Sequence, residues 1–329
     1  MKNYFLFLTS FFILLSLSCK KQKENKEDNS STPPPSSTNN CPTCFLPDTV
    51  WPLTGNPPRL IFKFVLDSTQ ARLDNFGQPS TVNTAVNAAQ SPTFNGISAH
   101  YIELAPNDLT PVGQGLVLYH APETSCGGTT AIIHCKGIVV KNNEIFFSTP
   151  ITPTMAGTYK WLRVSLSYQN FDIKIKSQSA GIIVGSIASF VGYNTYIKQY
   201  KIKDAVLTPT TGGVGNHKQG YWGFYTKIFN IPFVTDGQAP FTTVVNPNPS
   251  SPIPPGSCLV TGSFVTIANP NASAPLTITG TETSDIIIQV SLSTNKSFEW
   301  KELTFDGYFQ PDIGETPVDM GIRGMLAKY

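Results

Sequence analysis

Charge is scarce in this chain. Asp, Glu, Lys and Arg make up 13% of its 329 residues, about half of the roughly 25% usual in soluble domains, so Ser, Thr, Asn and side-chain amides must cover most of its surface. Imbalance of sign is also missing: 23 basic residues against 21 acidic leave a net charge of +2, too weak a field to draw in nucleic acid. Five of the basic and three of the acidic residues precede Cys44, which leaves 18 of each beyond it. No apolar run reaches the ~20 residues that a membrane-crossing helix needs. The G-x-S-x-G elbow, the H-E-x-x-H helix and the Walker loop are absent, and with them most hydrolase and nucleotide-binding readings. Gly212-Gly213-Val214-Gly215 lacks the strand-to-helix setting of a phosphate loop. Lys, Glu, Ala and Leu are too few for a coiled coil, the 25 Gly and 27 Pro show no collagen period, and 40% apolar content is too much for a disordered chain.

What is present begins with an address. Lys2 precedes an apolar run over residues 4–17, which is followed by Ser18 and Cys19. A run of fourteen residues is too short to span a bilayer as a helix, so residues 1–18 read as an export signal. Cys19, directly before Lys20-Lys21-Gln22-Lys23, resembles the acylated cysteine of bacterial lipoproteins; Ser16 stands where their usual leucine would be, and ordinary signal-peptidase cleavage also suits these small residues. Residues 20–28 are charged and residues 29–40 are Ser, Thr, Asn and Pro. Such a composition has nothing to bury, so residues 19–45 read as a tether. The charged tract after the cysteine resembles the surface-export tract of Bacteroidota lipoproteins. The location implied is the outer membrane, facing outward, with a periplasm-facing linker as the alternative.

Export places the other cysteines where disulfides form. Cys126 and Cys135 flank an eight-residue stretch that a bent loop can bridge, and Cys41-Pro42-Thr43-Cys44 reads as a second, local bridge at the domain entrance. A redox site would need a βαβ unit around the C-x-x-C pair, and a zinc knuckle would need a second pair. Cys258 is left over.

From Arg59 onward apolar residues alternate. Leu60, Phe62, Phe64 and Leu66 share one strand face; Leu162, Val164, Leu166 and Tyr168 share another, and Phe171, Ile173 and Ile175 a third. Residues 137–141 and 144–148 read as a hairpin about Asn142-Asn143. Further strands fit residues 99–104, 115–119, 196–202, 221–229, 259–268, 285–293 and 298–304, and residues 180–193 read as a buried strand pair. Only residues 68–75 and 83–90 suit short helices. The fold class is therefore all-β: an antiparallel β-sandwich, jelly-roll or immunoglobulin-like, over residues 46–329. Residues 246–256 hold five prolines, which cannot supply a central strand's ladder, so they form a crossover within one sandwich rather than a second domain.

Three groups are candidate sites. Tyr221, Trp222, Phe224 and Tyr225 lie in an aromatic-rich stretch, and rings exposed on a sheet face stack on sugars or hold a peptide; alternation sends Tyr221 and Tyr225 to one side and Trp222 and Phe224 to the other, so one side is core. Asp306, Asp312, Glu315 and Asp319 lie in a glycine-containing loop and offer the hard oxygens that Ca²⁺ takes, without the EF-hand spacing; solvated loop carboxylates are the competing reading. His120 and His134, the latter beside Cys135, offer a soft site for copper unless a disulfide removes the thiolate.

Residues 98–106 (SAHYIELAP), 157–170 (GTYKWLRVSLSYQN), 219–224 (QGYWGF), 295–300 (NKSFEW) and 318–324 (VDMGIRG) resemble those of a group of uncharacterised Bacteroidota lipoproteins. More loosely, Gly157-Thr158-Tyr159 and Tyr221-Trp222 are similar to the periplasmic copper-binding family associated with methanobactin. That second likeness implies an all-β fold and no ligand set. The expectation is a lipid-anchored, non-catalytic envelope protein that binds glycan or peptide, with copper or calcium binding, or a purely structural role, as alternatives. No organic cofactor and no nucleic-acid partner are expected.

Overall fold

Period-two alternation carries much of the chain into strands: among the described residues 51% are in strands and 3% in helical turns. The computed structural model describes residues 41–53, 55, 57–74, 77–239 and 257–329. The export signal, Cys19, most of the tether and the proline-rich residues 246–256 lie outside the described residues.

Eleven strands form the main sheet: β1 (Arg59–Asp67), β2 (Thr93–Ala105), β3 (Leu116–His120), β4 (Ile145–Pro150), β5 (Trp161–Ser177), β6 (Gly181–Phe190), β7 (Tyr221–Ile228), β8 (Ile231–Gln238), β9 (Cys258–Val265), β10 (Ile286–Ser293) and β11 (Met325–Lys328). β5, with 17 residues, organises it. One edge pairs with β2, from Ala105↔Trp161 to Thr93↔Asp172. The other edge is shared end to end: β9 takes Trp161 to Leu166, and β6 takes Gln169 to Ser177. From β9 the sheet runs through β11, β10 and β1 to β4, and from β6 through β7 to the edge strand β8.

The first branch closes on a core. Leu60, Phe62 and Phe64 of β1, Leu162, Val164 and Leu166 of β5, and Ile288, Val290 and Leu292 of β10 are buried in one cluster. Its open ends meet where Trp51 packs on Tyr119 of β3 and Phe147 of β4, at 5.5 and 5.0 Å between ring centroids. The second branch is covered on both faces. Phe171, Ile173, Ile175, Ile187 and Phe224 pack under Phe298, Trp300 and Phe309 on one side, and Tyr168, Phe190 and Tyr221 pack under Ile197, Tyr200 and Ile202 on the other.

The all-β sandwich is as expected, and mostly antiparallel, although β1 pairs with β10 and β9 with β11 in parallel. The strands after residue 257 complete the sheet that the earlier strands begin. Several elements differ from the sequence reading. Residues 162–168 and 171–175 are one strand, not two, because the core switches faces along β5. The expected strand pair at residues 180–193 is the single strand β6. Residues 196–202 break into Thr195–Ile197 and Tyr200–Ile202. The Asn142-Asn143 turn forms, with Asn143 at φ 65°, but its arms do not pair: β4 joins β1, and Val140 exchanges backbone hydrogen bonds with Ile97.

Neither expected helix exists. The Asp67 carboxylate accepts from the Thr69 and Gln70 amides and holds a turn there. Asn87–Gln90 pairs with Phe298–Lys301, because covering Phe298 and Trp300 outweighs the helix propensity of its alanines.

The disulfides are crossed relative to expectation: Cys41 bonds Cys126 and Cys44 bonds Cys135, not Cys41 with Cys44 and Cys126 with Cys135. Glu123–Thr124 and Ala131–Ile133 pair as a hairpin, so Cys126 lies in its loop while Cys135 lies beyond its far end. Cys41 and Cys44 are in chain with no regular structure, where three residues of extended backbone put ~10 Å between them, beyond the reach of a local bridge. That same spacing lets the pair staple both ends of the hairpin.

Candidate functional site

The aromatic stretch falls on β7, between β6 and β8, and alternation divides it as the sequence implies. Both faces, however, are covered at Tyr221, Trp222 and Phe224, which removes these three from any aromatic platform. Tyr221 is fully buried and donates a hydrogen bond of 2.8 Å to Asp236 Oδ2. Asp236 also accepts from the Thr210 and Thr211 amides at 2.6 and 2.8 Å. Burial alone would raise its pKa; the Thr210 hydroxyl, donating at 2.7 Å, together with the Thr210 amide, the Thr211 side chain and Tyr221, outweighs burial and holds it down at about 2. On the opposite face Phe224 is buried in the cluster with Phe171 and Ile187. Trp222 is part-buried against the same cluster, its indole over Gly237 of β8, where a Cβ would come within 2.7 Å of the ring.

Tyr225 differs. It is only half-buried, at the margin of the Tyr200–Tyr221 cluster. Its cross-strand neighbours are Ser186 of β6 and Val234 of β8. One row further, Val184 pairs with Lys174 of β5, and Lys227 pairs with Pro232. Val184 is 49% exposed and Val234 42%, so the cover formed by residues 195–207 stops short of this row. Among the described residues neither Lys174 nor Lys227 has an ion pair, whereas Lys203 is matched by Asp172 at 2.9 Å. The result is an open sheet face with one ring, two valines and two unmatched ammonium groups. It can stack on an apolar ring face and pair with an anion.

The carboxylates of the C-terminal loop do not converge, because each already has its own donors. Asp306 pairs with Lys176 and accepts from the Tyr308 amide at 3.0 Å. Asp312 accepts from the Gln178 amide at 2.8 Å. Asp319 pairs with Arg323 and accepts from the Gly321 amide at 2.8 Å. Glu315 is buried, accepting from the Leu303 and Gln310 amides at 3.0 and 2.6 Å. Burial, and next to it the Glu302 carboxyl, push Glu315 up to about 7.

His120 and His134 are likewise separated. His134 is buried against Tyr168 and Phe190, at 5.1 and 5.0 Å between rings, and burial pushes it down to about 3; the Cys135 sulfur beside it is in a disulfide. His120 instead lies 2.7 Å (Nε2) from Glu123 Oε1, with the rings of Tyr101 and His100 at 5.8 and 6.5 Å. Among the described residues, no three His, Cys, Asp or Glu side chains are placed to hold a metal ion.

His100, Glu123 and Tyr193 join His120 in a cluster that the sequence did not group. His100 is fully buried, both ring nitrogens have no hydrogen-bond partner among the described residues, and Tyr193 packs against it at 5.4 Å. Burial, helped by His120, holds it neutral with a pKa of about 3. Its inward direction was illegible because β2 is irregular at Ser98/Ala99 and Ala99/Tyr101, which breaks the period-two count. The chain matches no protein-family model, no curated protein and no solved structure.

Proposed function

We propose that this chain is a lipid-anchored, outward-facing envelope protein that binds an anionic glycan on the β6–β7–β8 face and catalyses nothing. The observation that carries the reading is the half-buried Tyr225, set beside exposed Val184 and Val234 and flanked by Lys174 and Lys227, which have no acidic partners among the described residues. A sugar laid with its C–H face on the ring buries apolar surface, and a carboxylate or phosphate on the sugar meets a lysine. The cysteine after the apolar run and the polar tether support the envelope address.

Calorimetric titration with acidic and neutral oligosaccharides tests this. Tyr225→Ala should weaken binding of the acidic ligand by roughly tenfold while costing only about 1 kcal/mol of stability. Tyr221→Ala should cost ~3–5 kcal/mol, as loss of a fully buried ring does. Absence of any glycan binding by the unaltered chain, or full binding by the Tyr225 variant, overturns the proposal.

A further inference from the structure

Two phenylalanines occupy backbone positions that disfavour them, and both project from the same end of the sheet. Phe229 and Asn230 form the two-residue turn between β7 and β8, with Ile228 opposite Ile231, and Phe229 has φ 50°. Turns of this kind take Gly, which has no Cβ to crowd the following carbonyl oxygen, or Asn, whose short polar side chain hydrogen-bonds locally; Phe has neither advantage. Phe305 has φ 55°. Its loop lies along the end of β5: Ile175 bridges Phe309, the Lys176 amide donates to the Phe309 carbonyl at 2.9 Å, and Lys176 pairs with Asp306. Both rings stay in solvent, Phe229 at 68% and Phe305 at 65% exposure. A strained backbone that presents a ring to water gains nothing for the fold, and such sites are characteristic of function.

The rings have apolar company. Ile182 of β6, opposite Lys176, is 56% exposed, and Ile231 beside the Phe229 turn is 69% exposed. Four large apolar side chains thus stand on three neighbouring segments at one end of the second branch. Lys174 and Lys227 flank them, while the acids there are engaged, Asp306 by Lys176 and Asp312 by the Gln178 amide.

We infer that this end docks on a lipid bilayer carrying anionic headgroups, with Phe229, Phe305, Ile182 and Ile231 entering the headgroup boundary and the two lysines meeting lipid phosphates. Apolar side chains at one end of the sheet, beside two cations that have no acidic partners among the described residues, match that layered surface. The tether permits it on the membrane that would carry the Cys19 anchor. Residues 19–40 reach ~70 Å when extended, against ~56 Å for the length of β5. The proposal shares Lys174 and Lys227 with the glycan reading but not its ring, so the Phe and Tyr225 variants separate the two.

Sedimentation with vesicles decides it, using the mature chain from residue 19 with Cys19→Ala so that no acyl chain contributes. The chain should co-sediment with phosphatidylcholine vesicles containing phosphatidylglycerol, more weakly at high salt, and less with phosphatidylcholine alone. Phe229→Asn together with Phe305→Asn should weaken binding by roughly tenfold or more without lowering the melting temperature, since Asn suits the left-handed positions. Lys174→Gln with Lys227→Gln should abolish the preference for phosphatidylglycerol. Tyr225→Ala should leave vesicle binding unchanged, and the Phe double variant should leave glycan binding unchanged. A chain that stays in the supernatant with both vesicles overturns the inference, as does a Phe double variant that binds like the parent. Self-association that the Phe substitutions abolish, without vesicle binding, would replace the bilayer with a second copy of this chain.

Discussion

Two carboxylates pull the acid–base behaviour of this protein in opposite directions. Asp236 is held below its ordinary value of 3.8, at about 2, so its contribution to stability is present above pH 3.8 and is lost as pH falls towards 2. Glu315 is raised from 4.5 to about 7 by burial and by Glu302. Between those values the folded chain binds more protons there than the unfolded chain, so stability falls as pH rises from 4.5 towards 7. The expected loss is of order 1–3 kcal/mol, read as a lower melting temperature at pH 8 than at pH 5. Glu315→Gln, which keeps an uncharged side chain at the site, should flatten that slope; an unchanged slope would show that Glu315 is not its source. Composition and spacing marked Glu315 as one of a group of candidate ligands. Its solitary burial beneath Leu303 and Gln310 could not be seen there, because it depends on where the loop folds back. Tyr225 was visible as a ring on a strand, but its exposure depends on the point where the 195–207 cover ends.

Among the elements, the disulfide staple makes the most specific claim. The bridges join cysteines 85 and 91 positions apart in sequence; closing the first loop of that size in the unfolded chain is worth ~4–5 kcal/mol on the loop-entropy model, and the second, which then closes only a short ring, adds less. Reduction should therefore lower the melting temperature sharply. Non-reduced peptide mapping should recover Cys41 linked to Cys126 and Cys44 linked to Cys135; a peptide with Cys41 joined to Cys44 would refute the crossing. Strand identity was largely legible, since β1, β7, β9 and β10 sit where alternation puts them. Strand length and partner were not. β5 hides its continuity by moving its apolar residues from one face to the other between Tyr168 and Phe171. The Asn142-Asn143 turn hides the fact that β4 leaves its neighbour to pair with β1.

For the whole molecule, the envelope reading is open to a direct test in cells. Acyl chains hold a protein to a bilayer at ~0.8 kcal/mol per buried CH₂, so Cys19→Ala should move it from the membrane pellet to the soluble fraction at high salt. Retention of the variant there would mean that acylation is not the anchor. What the sequence determined alone is what local chemistry dictates: the all-β class, from period-two alternation, and the positions of many strands. What only the tertiary structure decided is every property that requires two distant segments to meet. The bridging of Cys41 to Cys126, the dispersal of the four loop carboxylates among separate donors, the pairing of His120 with Glu123 rather than with His134, and the gathering of Phe229 with Phe305 all belong to that second kind. Alternation says which way a side chain points from its own strand; only the packed sheets say what stands opposite it.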